Sequence, residues 1–181
     1  MRRLIPLLIV AVALLGCKKE NTEKRAESPF IVQEDVTGKP AVDFEYADMD
    51  GKRFRLSENR GKVVLMYFWR MKCRECRDQI KPLEKLYERY SGKGLIVVAV
   101  GADTMHSAPI YDVQKLLDDS GAKFIRIRDD EGFVSEAFGV MKTPTGYIID
   151  KNGIVASMKT GDIDWTGKEI ASLMDTLLQG K

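Results

Sequence analysis

The sequence predicts an α/β fold, with a mixed central sheet flanked by helices on both faces and a β-hairpin at its N-terminal end. Residues 62–69 (KVVLMYFW) and 95–100 (LIVVAV) are nearly continuous runs of apolar and β-branched residues, which is typical of strands buried on both faces. Amphipathic helical patterns follow both runs. Further along, Asn152-Gly153 lies between two more strand patterns and is a strong signal for an antiparallel hairpin. Together these features predict the mixed sheet.

The other elements follow in order along the chain. The N-terminal hairpin is predicted at 42–46 and 53–56, around the turn Asp48-Met49-Asp50-Gly51. Near the C-terminus, Thr166 and Glu169 have the spacing of a capping box, which predicts that the last helix begins there. The remaining predicted elements are helices at 74–90 and 110–117, a strand at 123–128, a helical segment at 134–138, and strands at 147–150 and 154–158.

The first sixteen residues have a different character from the rest. Arg2 and Arg3 precede an apolar run at 4–15, which is too short to cross a bilayer of about 30 Å comfortably and therefore predicts a signal peptide. The sequence Leu14-Leu15-Gly16-Cys17 resembles the bacterial lipoprotein signal, in which cleavage precedes a cysteine whose sulfur becomes lipidated. An ordinary secretory signal followed by a chance cysteine is the alternative. In both cases we expect the domain to leave the cytoplasm.

We therefore expect three parts: a lipoprotein signal peptide in 1–16, a lipid-anchor cysteine and flexible tether in 17–39, and one globular domain in 40–181. The tether has charges of both signs and little apolar periodicity. The chain has 29 Lys and Arg against 27 Asp and Glu, so removal of Arg2 and Arg3 would leave these charges balanced. A neutral domain has no electrostatic attraction for nucleic acid, and we expect no such partner.

Cys73 and Cys76 lie where a buried strand is predicted to end and a helix to begin. Unpaired N–H groups at a helix N-terminus stabilise a thiolate, which favours an anionic sulfur at Cys73. Residues i and i+3 also lie within reach of a disulfide. The spacing therefore predicts a pair that can change between dithiol and disulfide.

Other roles for two such cysteines make different demands on the sequence. A structural zinc site usually needs four ligands, whereas Cys73, Cys76 and His106 supply at most three. Haem attachment needs a histidine directly after the second cysteine, and Arg77 in that place excludes it. A structural disulfide that closes so short a loop removes little entropy from the unfolded chain. A thiol-based copper chaperone and a redox-inert binding module remain as alternative functions.

Short motifs occur in a consistent order over residues 40–179. They are Asp43-Phe44, Asp50-Gly51-Lys52, Leu56-Ser57, Gly61-Lys62, Phe68-Trp69, Cys73-x-x-Cys76, Val140-x-x-Thr143-Pro144-Thr145 and Ile149-Asp150-x-x-Gly153. This ordered set resembles the thioredoxin superfamily and, within it, the exported, membrane-tethered TlpA/ResA-type thiol–disulfide oxidoreductases. The resemblance implies a thioredoxin-like fold for residues 40–181.

The resemblance also implies a mechanism. Cys73 would be the nucleophile that attacks a protein disulfide, and Cys76 would resolve the mixed disulfide, with no cofactor. Pro144 would be the family's cis-proline, in a loop that faces the two cysteines. Because similar proteins are reductases that serve cytochrome c maturation, we expect reduction of exported protein disulfides, with apocytochrome c as a candidate substrate. The electron donor would be a membrane protein of unknown identity, and the lipoprotein would face the periplasm or the cell exterior.

The resemblance leaves the proton acceptor for Cys76 unassigned. Thioredoxins hold a buried carboxylate at the position of Tyr67, and related exported reductases have an acidic residue at the position of Gln79. Glu75 is therefore the candidate acceptor, and the alternative role for Glu75 is to stabilise the first turn of the helix. The candidate substrate-binding residues are Trp69, which we expect to pack beneath the site, together with Lys72, Met141 and Thr143.

Overall fold

A computed structural model describes residues 33–180 of the chain. The predictions for the signal peptide, for Cys17 and for most of the tether lie outside the described residues. None of the helices within residues 33–180 combines the length and the apolar character that a membrane crossing requires.

The described residues contain seven strands and five α-helices, in the order expected from the sequence. The strands are β1 (Glu45–Ala47), β2 (Arg53–Arg55), β3 (Val63–Trp69), β4 (Leu95–Gly101), β5 (Ile125–Arg128), β6 (Thr145–Ile149) and β7 (Val155–Thr160). The helices are α1 (Arg74–Asp78), α2 (Ile80–Tyr90), α3 (Ile110–Asp119), α4 (Phe133–Ala137) and α5 (Lys168–Gln179).

The central sheet has the strand order β5-β4-β3-β6-β7, and β1 pairs with β2 in a separate hairpin. Strands β3, β4 and β5 are parallel, whereas β6 is antiparallel to both β3 and β7. Trp69 at the end of β3 is the register partner of Gly101 at the end of β4. On the other side of β3, Phe68 is opposite Thr145 at the start of β6. The turns after β3 and β4 and the loop before β6 therefore meet at one edge of the sheet.

Both faces of the sheet are covered by other elements. Successive side chains of β3 point to opposite faces and therefore enter two different cores. All seven residues of β3 are buried. One core joins Leu65, Tyr67 and Trp69 to residues of four helices, namely Cys76 of α1, Leu83 of α2, Val113 of α3 and Met174 of α5. The second core joins Met66 and Phe68 to Val134 of α4 and to Phe54 of the hairpin. The prediction of a mixed sheet with helices on both faces and an N-terminal hairpin is confirmed.

The helix predicted at 74–90 is present but does not run without a break. The helix is divided into α1 and α2, with Gln79 between them at φ −87° and ψ −12°. Pro82 explains the break, since it has no N–H to donate to the carbonyl of Asp78, and its ring collides with that carbonyl in a regular helix. The two cysteines consequently lie on a short helix of their own.

The capping-box prediction for the last helix is wrong. Helix α5 begins after Gly167, which is its N-cap residue and makes no side-chain cap. The Thr166 hydroxyl donates instead to Asp164 Oδ1 at 3.0 Å, and Glu169 forms an ion pair with Lys159. Both predicted capping side chains thus have other partners.

Candidate active site at the Cys73–Cys76 disulfide

Cys73 and Cys76 form a disulfide at the sheet edge where β3 ends, with their Cα atoms 5.2 Å apart. Cys73 is the N-cap residue of α1, and its sulfur accepts a hydrogen bond from the backbone N–H of Cys76 at 3.1 Å. Cys73 is half-buried, whereas Cys76 is completely buried in the core. An incoming substrate can therefore reach the first sulfur and not the second.

A tight turn brings Cys73 from the buried strand to the start of the helix. The N–H of Cys73 donates to the carbonyl of Arg70 at 3.1 Å. Cys73 itself has the extended conformation usual for an N-cap residue, with φ −82° and ψ 109°. The sulfur is held beside the unpaired N–H groups at the beginning of α1, an environment that favours a thiolate in the reduced protein.

The loop before β6 lies beside the exposed sulfur. The carbonyl oxygen of Thr143 is 3.9 Å from Cys73 Sγ, and the Thr143–Pro144 peptide bond is cis. Pro144 is buried, whereas Met141 in the same loop is 52% exposed. A backbone acceptor and an apolar side chain thus stand on this side of Cys73.

The opposite side of the site is a shallow cavity of about 260 Å³ between the turn 70–73 and the loop after β4. Lys72 is exposed and lines this cavity together with Cys73. Trp69 is only 1% exposed and packs beneath the site. Its position allows it to support the turn but not to contact a substrate at the surface.

The surroundings of the buried sulfur contain two neutral hydrogen-bonding side chains. The Tyr67 hydroxyl donates to the Cys76 carbonyl at 2.9 Å, and burial raises the pKa of Tyr67 well above its usual value. Gln79 donates through Nε2 to the carbonyl of Gly161 at 3.0 Å and accepts from Trp165 Nε1 at 2.9 Å. Neither neutral side chain provides a base that could take a proton from Cys76.

Glu75 lies in the first turn of α1 with its side chain exposed. It directly precedes Cys76, and adjacent residues of a helix do not face each other. Because Cys76 is buried, a proton could pass from its thiol to the Glu75 carboxylate only by way of water.

The structure brings two further residues to the site that the sequence reasoning missed. Asp103, only 4% exposed, accepts a hydrogen bond from the N–H of Met71 at 2.6 Å. Arg77 Nη1 donates to the carbonyl of the same residue. One signal could have indicated Asp103: it is an acidic residue shortly after the buried strand predicted at 95–100, and the structure pairs that strand in parallel with the one before the cysteines. Arg77 carried no comparable signal, because it is one of several Lys and Arg residues around the two cysteines and nothing in the sequence distinguishes it from the others.

Residues 33–180 contain no group of three or more His, Cys, Asp or Glu side chains arranged to hold a metal ion. His106 is exposed in the loop after β4. The copper-chaperone alternative thus lacks a preformed ligand set made of His106 and the two cysteines.

A family model described as the AhpC/TSA family matches residues 37–158. The chain belongs to the AhpC/TSA family.

Similar members of known sequence are named for thiol chemistry. The thiol-disulfide oxidoreductase ResA of Geobacillus thermodenitrificans (strain NG80-2) is 34% identical to this AhpC/TSA-family chain over 126 residues, which is 70% of each protein. The thioredoxin-like protein YneN of Bacillus subtilis (strain 168) is 31% identical over 169 residues, which is 93% of this chain and 94% of that protein.

Solved structures agree with this family placement. A Chlorobium tepidum protein provisionally assigned as thiol:disulfide interchange protein DsbE has a TM-score of 0.70 at 30% identity and covers 78% of this chain and 97% of its own. The thioredoxin domain of a thiol-disulfide oxidoreductase from Bacteroides vulgatus has a TM-score of 0.66 at 22% identity, covers 78% of this chain and 99% of its own, and supports the fold alone. With the Cys73–Cys76 pair in place, the predictions of a thioredoxin-like fold and a thiol–disulfide oxidoreductase are confirmed. Protein thiols and disulfides are its substrates.

Proposed function

We propose that this AhpC/TSA-family oxidoreductase reduces disulfides of exported proteins, with Cys73 as nucleophile and Cys76 as resolving cysteine. One observation carries the assignment of the two sulfurs: Cys73 is accessible and accepts a hydrogen bond from the Cys76 N–H, whereas Cys76 is fully buried. Only the accessible sulfur can meet a disulfide on another protein. The buried one can then react with Cys73 inside the same chain.

The reaction proceeds by two thiol–disulfide exchanges. The Cys73 thiolate attacks one sulfur of the substrate disulfide, that S–S bond breaks, and the other substrate sulfur leaves as a thiolate and takes up a proton. Cys76 then loses its proton and attacks Cys73 Sγ, which releases the second substrate thiolate and forms the Cys73–Cys76 disulfide. Two electrons pass from the dithiol to the substrate, and the same steps in reverse would oxidise a dithiol.

The side chains around the sulfur suggest how a substrate segment is held. The loop with Thr143 and Pro144 offers a backbone carbonyl beside the attacking sulfur, and an extended polypeptide can pair with such a group. Met141 adds an exposed apolar and adaptable side chain on the same loop. Lys72 lines the cavity on the other side of Cys73. We assign these residues to substrate binding and Trp69 to support from below.

Glu75 remains our candidate for the proton acceptor of Cys76, acting through water. The carboxylate is exposed at the first turn of α1, and its charge is favourable at a helix N-terminus whether or not it takes a proton. A Glu75→Gln variant that resolves mixed disulfides as fast as wild type would assign Glu75 to the helix alone.

We further propose that the protein is an exported lipoprotein. The support is the cationic and apolar start of the chain and the position of Cys17 after Gly16. Cleavage before Cys17 would leave residues 17–39 as a tether for the domain at 40–181, with lipid on the cysteine as the membrane anchor. A membrane protein would then return electrons to the disulfide, and apocytochrome c is a candidate substrate. Mass spectrometry of the membrane-extracted protein tests this, because Cys17→Ser should remove the lipid mass and release the domain.

Trapping tests the assignment of the two sulfurs. A Cys76→Ser variant in the native compartment should accumulate mixed disulfides through Cys73, visible as bands that disappear with dithiothreitol, and their identification would name the substrates. Cys73→Ser is the matched control and should trap far less, because its remaining cysteine is buried. Equal trapping by both variants, or none by Cys76→Ser, would contradict the assignment.

The reduction potential tests the direction of electron flow. A reductase should have a potential near the −270 mV of thioredoxin, whereas a strong oxidant lies at about −120 mV. Equilibration with glutathione or dithiothreitol buffers, followed by alkylation of free thiols, measures it. A value near −120 mV would overturn the proposed direction while leaving the exchange chemistry in place.

A further inference from the structure

The main chain of Met71 is held by two side chains from different parts of the fold. Its N–H donates to Asp103 Oδ2 at 2.6 Å, and its carbonyl accepts from Arg77 Nη1. Asp103 lies just beyond the end of β4, and Arg77 belongs to α1. Two oppositely charged groups therefore bind the two polar groups of one residue.

Asp103 is a buried carboxylate whose hydrogen-bond donors are neutral groups. Besides the Met71 N–H, the hydroxyl of Ser107 donates to its Oδ1 at 3.3 Å. Burying a carboxylate is unfavourable unless hydrogen bonds compensate for the lost water, so a fold that needed only to close this loop could use a neutral residue. The short bond to Met71 is the charge-assisted kind, which is stronger than a bond between neutral groups.

Met71 occupies the middle of the turn that presents the reactive sulfur. Cys73 follows two residues later, and its N–H closes the turn by donating to Arg70. The hydrogen bond from the Cys76 N–H to Cys73 Sγ depends on where this turn ends. A shift of Met71 would therefore move the sulfur away from the start of α1, where backbone N–H groups stabilise its anion.

We propose that Asp103 and Arg77 form a clamp on Met71, and that both are positioning residues which fix Cys73 at the N-cap of α1. The clamp joins the loop after β4 to α1 through Met71, which lies in the turn that connects β3 with α1. It rests on the proposed function only in taking Cys73 as the attacking sulfur. Neither residue is assigned a contact with substrate.

Several charged groups surround Cys73, so a test must separate the clamp from simple electrostatics. They are Arg70 and Lys72 in the turn, Arg74, Glu75, Arg77 and Asp78 on α1, Asp103 and His106 in the loop after β4, and Lys142 beside Thr143. Asp103→Asn removes the negative charge but keeps a side-chain oxygen that can accept from Met71. Asp103→Ala removes the same charge together with the acceptor, so the two variants have equal charge and differ in the bond to Met71, in side-chain volume and in the contact with Ser107.

The experiment measures iodoacetamide alkylation of Cys73 in the reduced, full-length protein across pH 5 to 9, with mass spectrometry to identify the site. Asp103→Asn should react about threefold faster than wild type at pH 6, because loss of a neighbouring negative charge favours the thiolate. Asp103→Ala should react about threefold slower than Asp103→Asn at that pH, because the sulfur is no longer held at the helix start. Identical pH profiles for the two folded variants would overturn the clamp.

Two further variants keep the proposal testable if Asp103→Ala fails to fold. Arg77→Lys keeps the positive charge but loses the planar guanidinium that reaches Met71, and we expect about threefold slower alkylation at pH 6. Ser107→Ala removes the donor on the other oxygen of Asp103 and should alkylate as wild type does. An Arg77→Lys variant with the wild-type profile would contradict the clamp.

Alkylation needs no protein substrate, so the clamp and the proposed function can fail separately. Reduction of insulin disulfides by the same wild-type preparation, with dithiothreitol as electron source, tests the function. A wild type without this activity contradicts the function. An active wild type whose Asp103 variants share one alkylation profile contradicts only the clamp.

Discussion

The hydroxyl of Tyr67 donates a hydrogen bond to the backbone carbonyl of Cys76, with 2.9 Å between the oxygens and no contact with solvent. This bond ties the central strand β3 to α1 directly behind the buried sulfur. Thioredoxins, which the chain resembles, have a carboxylate at the position of Tyr67. A phenol whose pKa is raised by burial keeps its proton at neutral pH. Cys76, the proposed resolving cysteine, therefore lies next to a hydrogen-bond donor and not next to a base.

Tyr67→Phe should destabilise the fold at neutral pH. The variant keeps the ring but removes the side-chain donor to the buried Cys76 carbonyl, which still accepts from the Gln79 N–H at 3.3 Å, and we expect the free energy of unfolding to fall by about 0.5–1.5 kcal/mol. Urea denaturation at pH 7 measures the change. Tyr111→Phe is the matched control, since its side chain is exposed and the substitution should change the stability by less than about 0.5 kcal/mol.

The same substitution predicts a specific dependence on alkaline pH. Burial raises the pKa of Tyr67, whereas the unfolded chain loses the phenolic proton at about pH 10. The stability contributed by the neutral phenol is thus complete below pH 10 and declines as the pH rises further, by up to about 1.4 kcal/mol per pH unit. Tyr67→Phe lacks this loss, so the difference in stability between the two proteins should narrow between pH 9 and pH 11. A constant difference would contradict burial of a neutral Tyr67.

Gln79→Glu should accelerate the second exchange step. Gln79 is buried and interacts through both ends of its amide, and a carboxylate there would still accept from Trp165 while becoming able to take a proton. General acid–base groups typically contribute 10²–10⁴-fold, and we expect at least about tenfold faster decay of the mixed disulfide at pH 7. Rapid acid quenching of a single turnover with a peptide disulfide, followed by mass spectrometry, measures this decay.

The matched control for that prediction is Gln79→Met, which has a similar shape but neither accepts a proton nor holds Trp165. It should not accelerate the decay. If Gln79→Glu resolves the mixed disulfide at the wild-type rate, proton transfer from Cys76 does not limit this step. Gln79→Glu also loses the amide Nε2 group that donates to the Gly161 carbonyl. We expect its free energy of unfolding to fall by about 1–3 kcal/mol for this reason.

Gly146→Ala should disturb the buried tryptophan behind the site. A Cβ atom at Gly146 would lie 2.5 Å from Trp165 Cη2, and Trp165 is completely buried. The ring must move and weaken its hydrogen bond to Gln79, which we expect to cost about 1–3 kcal/mol in unfolding free energy. Gly92→Ala is the control, because a Cβ atom there meets nothing within 4 Å. Equal stability of the two variants, measured in urea, would be inconsistent with this packing.

Thr143→Ala should leave the exchange rate almost unchanged, because the group of Thr143 beside Cys73 is its backbone carbonyl. We expect kcat/KM for a protein disulfide to stay within about twofold of wild type. Met141→Gln should instead raise KM about threefold, since it removes exposed apolar surface from the same loop. A large loss in Thr143→Ala would show that the side chain, and not the backbone, contacts the substrate.

The strands and the position of the cysteines at a strand–helix junction could be predicted, because both depend on residues that are close in sequence. The continuous apolar run of β3 and the pattern after it located Cys73 at a strand–helix junction without knowledge of the fold. Local reasoning failed at the ends of two helices. The helix after the cysteines is divided before Pro82, and Thr166 and Glu169 bind Asp164 and Lys159 instead of capping α5.

By itself the sequence determined the fold class, the pair of sulfurs and the kind of reaction they perform, since periodicity, spacing and ordered motifs are all read along the chain. Tertiary structure alone decided which sulfur is reachable, that Tyr67 and Gln79 are already engaged, and that Asp103 and Arg77 meet at Met71. These contacts join distant positions: 32 residues separate Met71 from Asp103 and 86 separate Gln79 from Trp165. Such pairs meet only when parallel strands end at one edge of the sheet and when helices pack over its face, and no local pattern encodes that meeting.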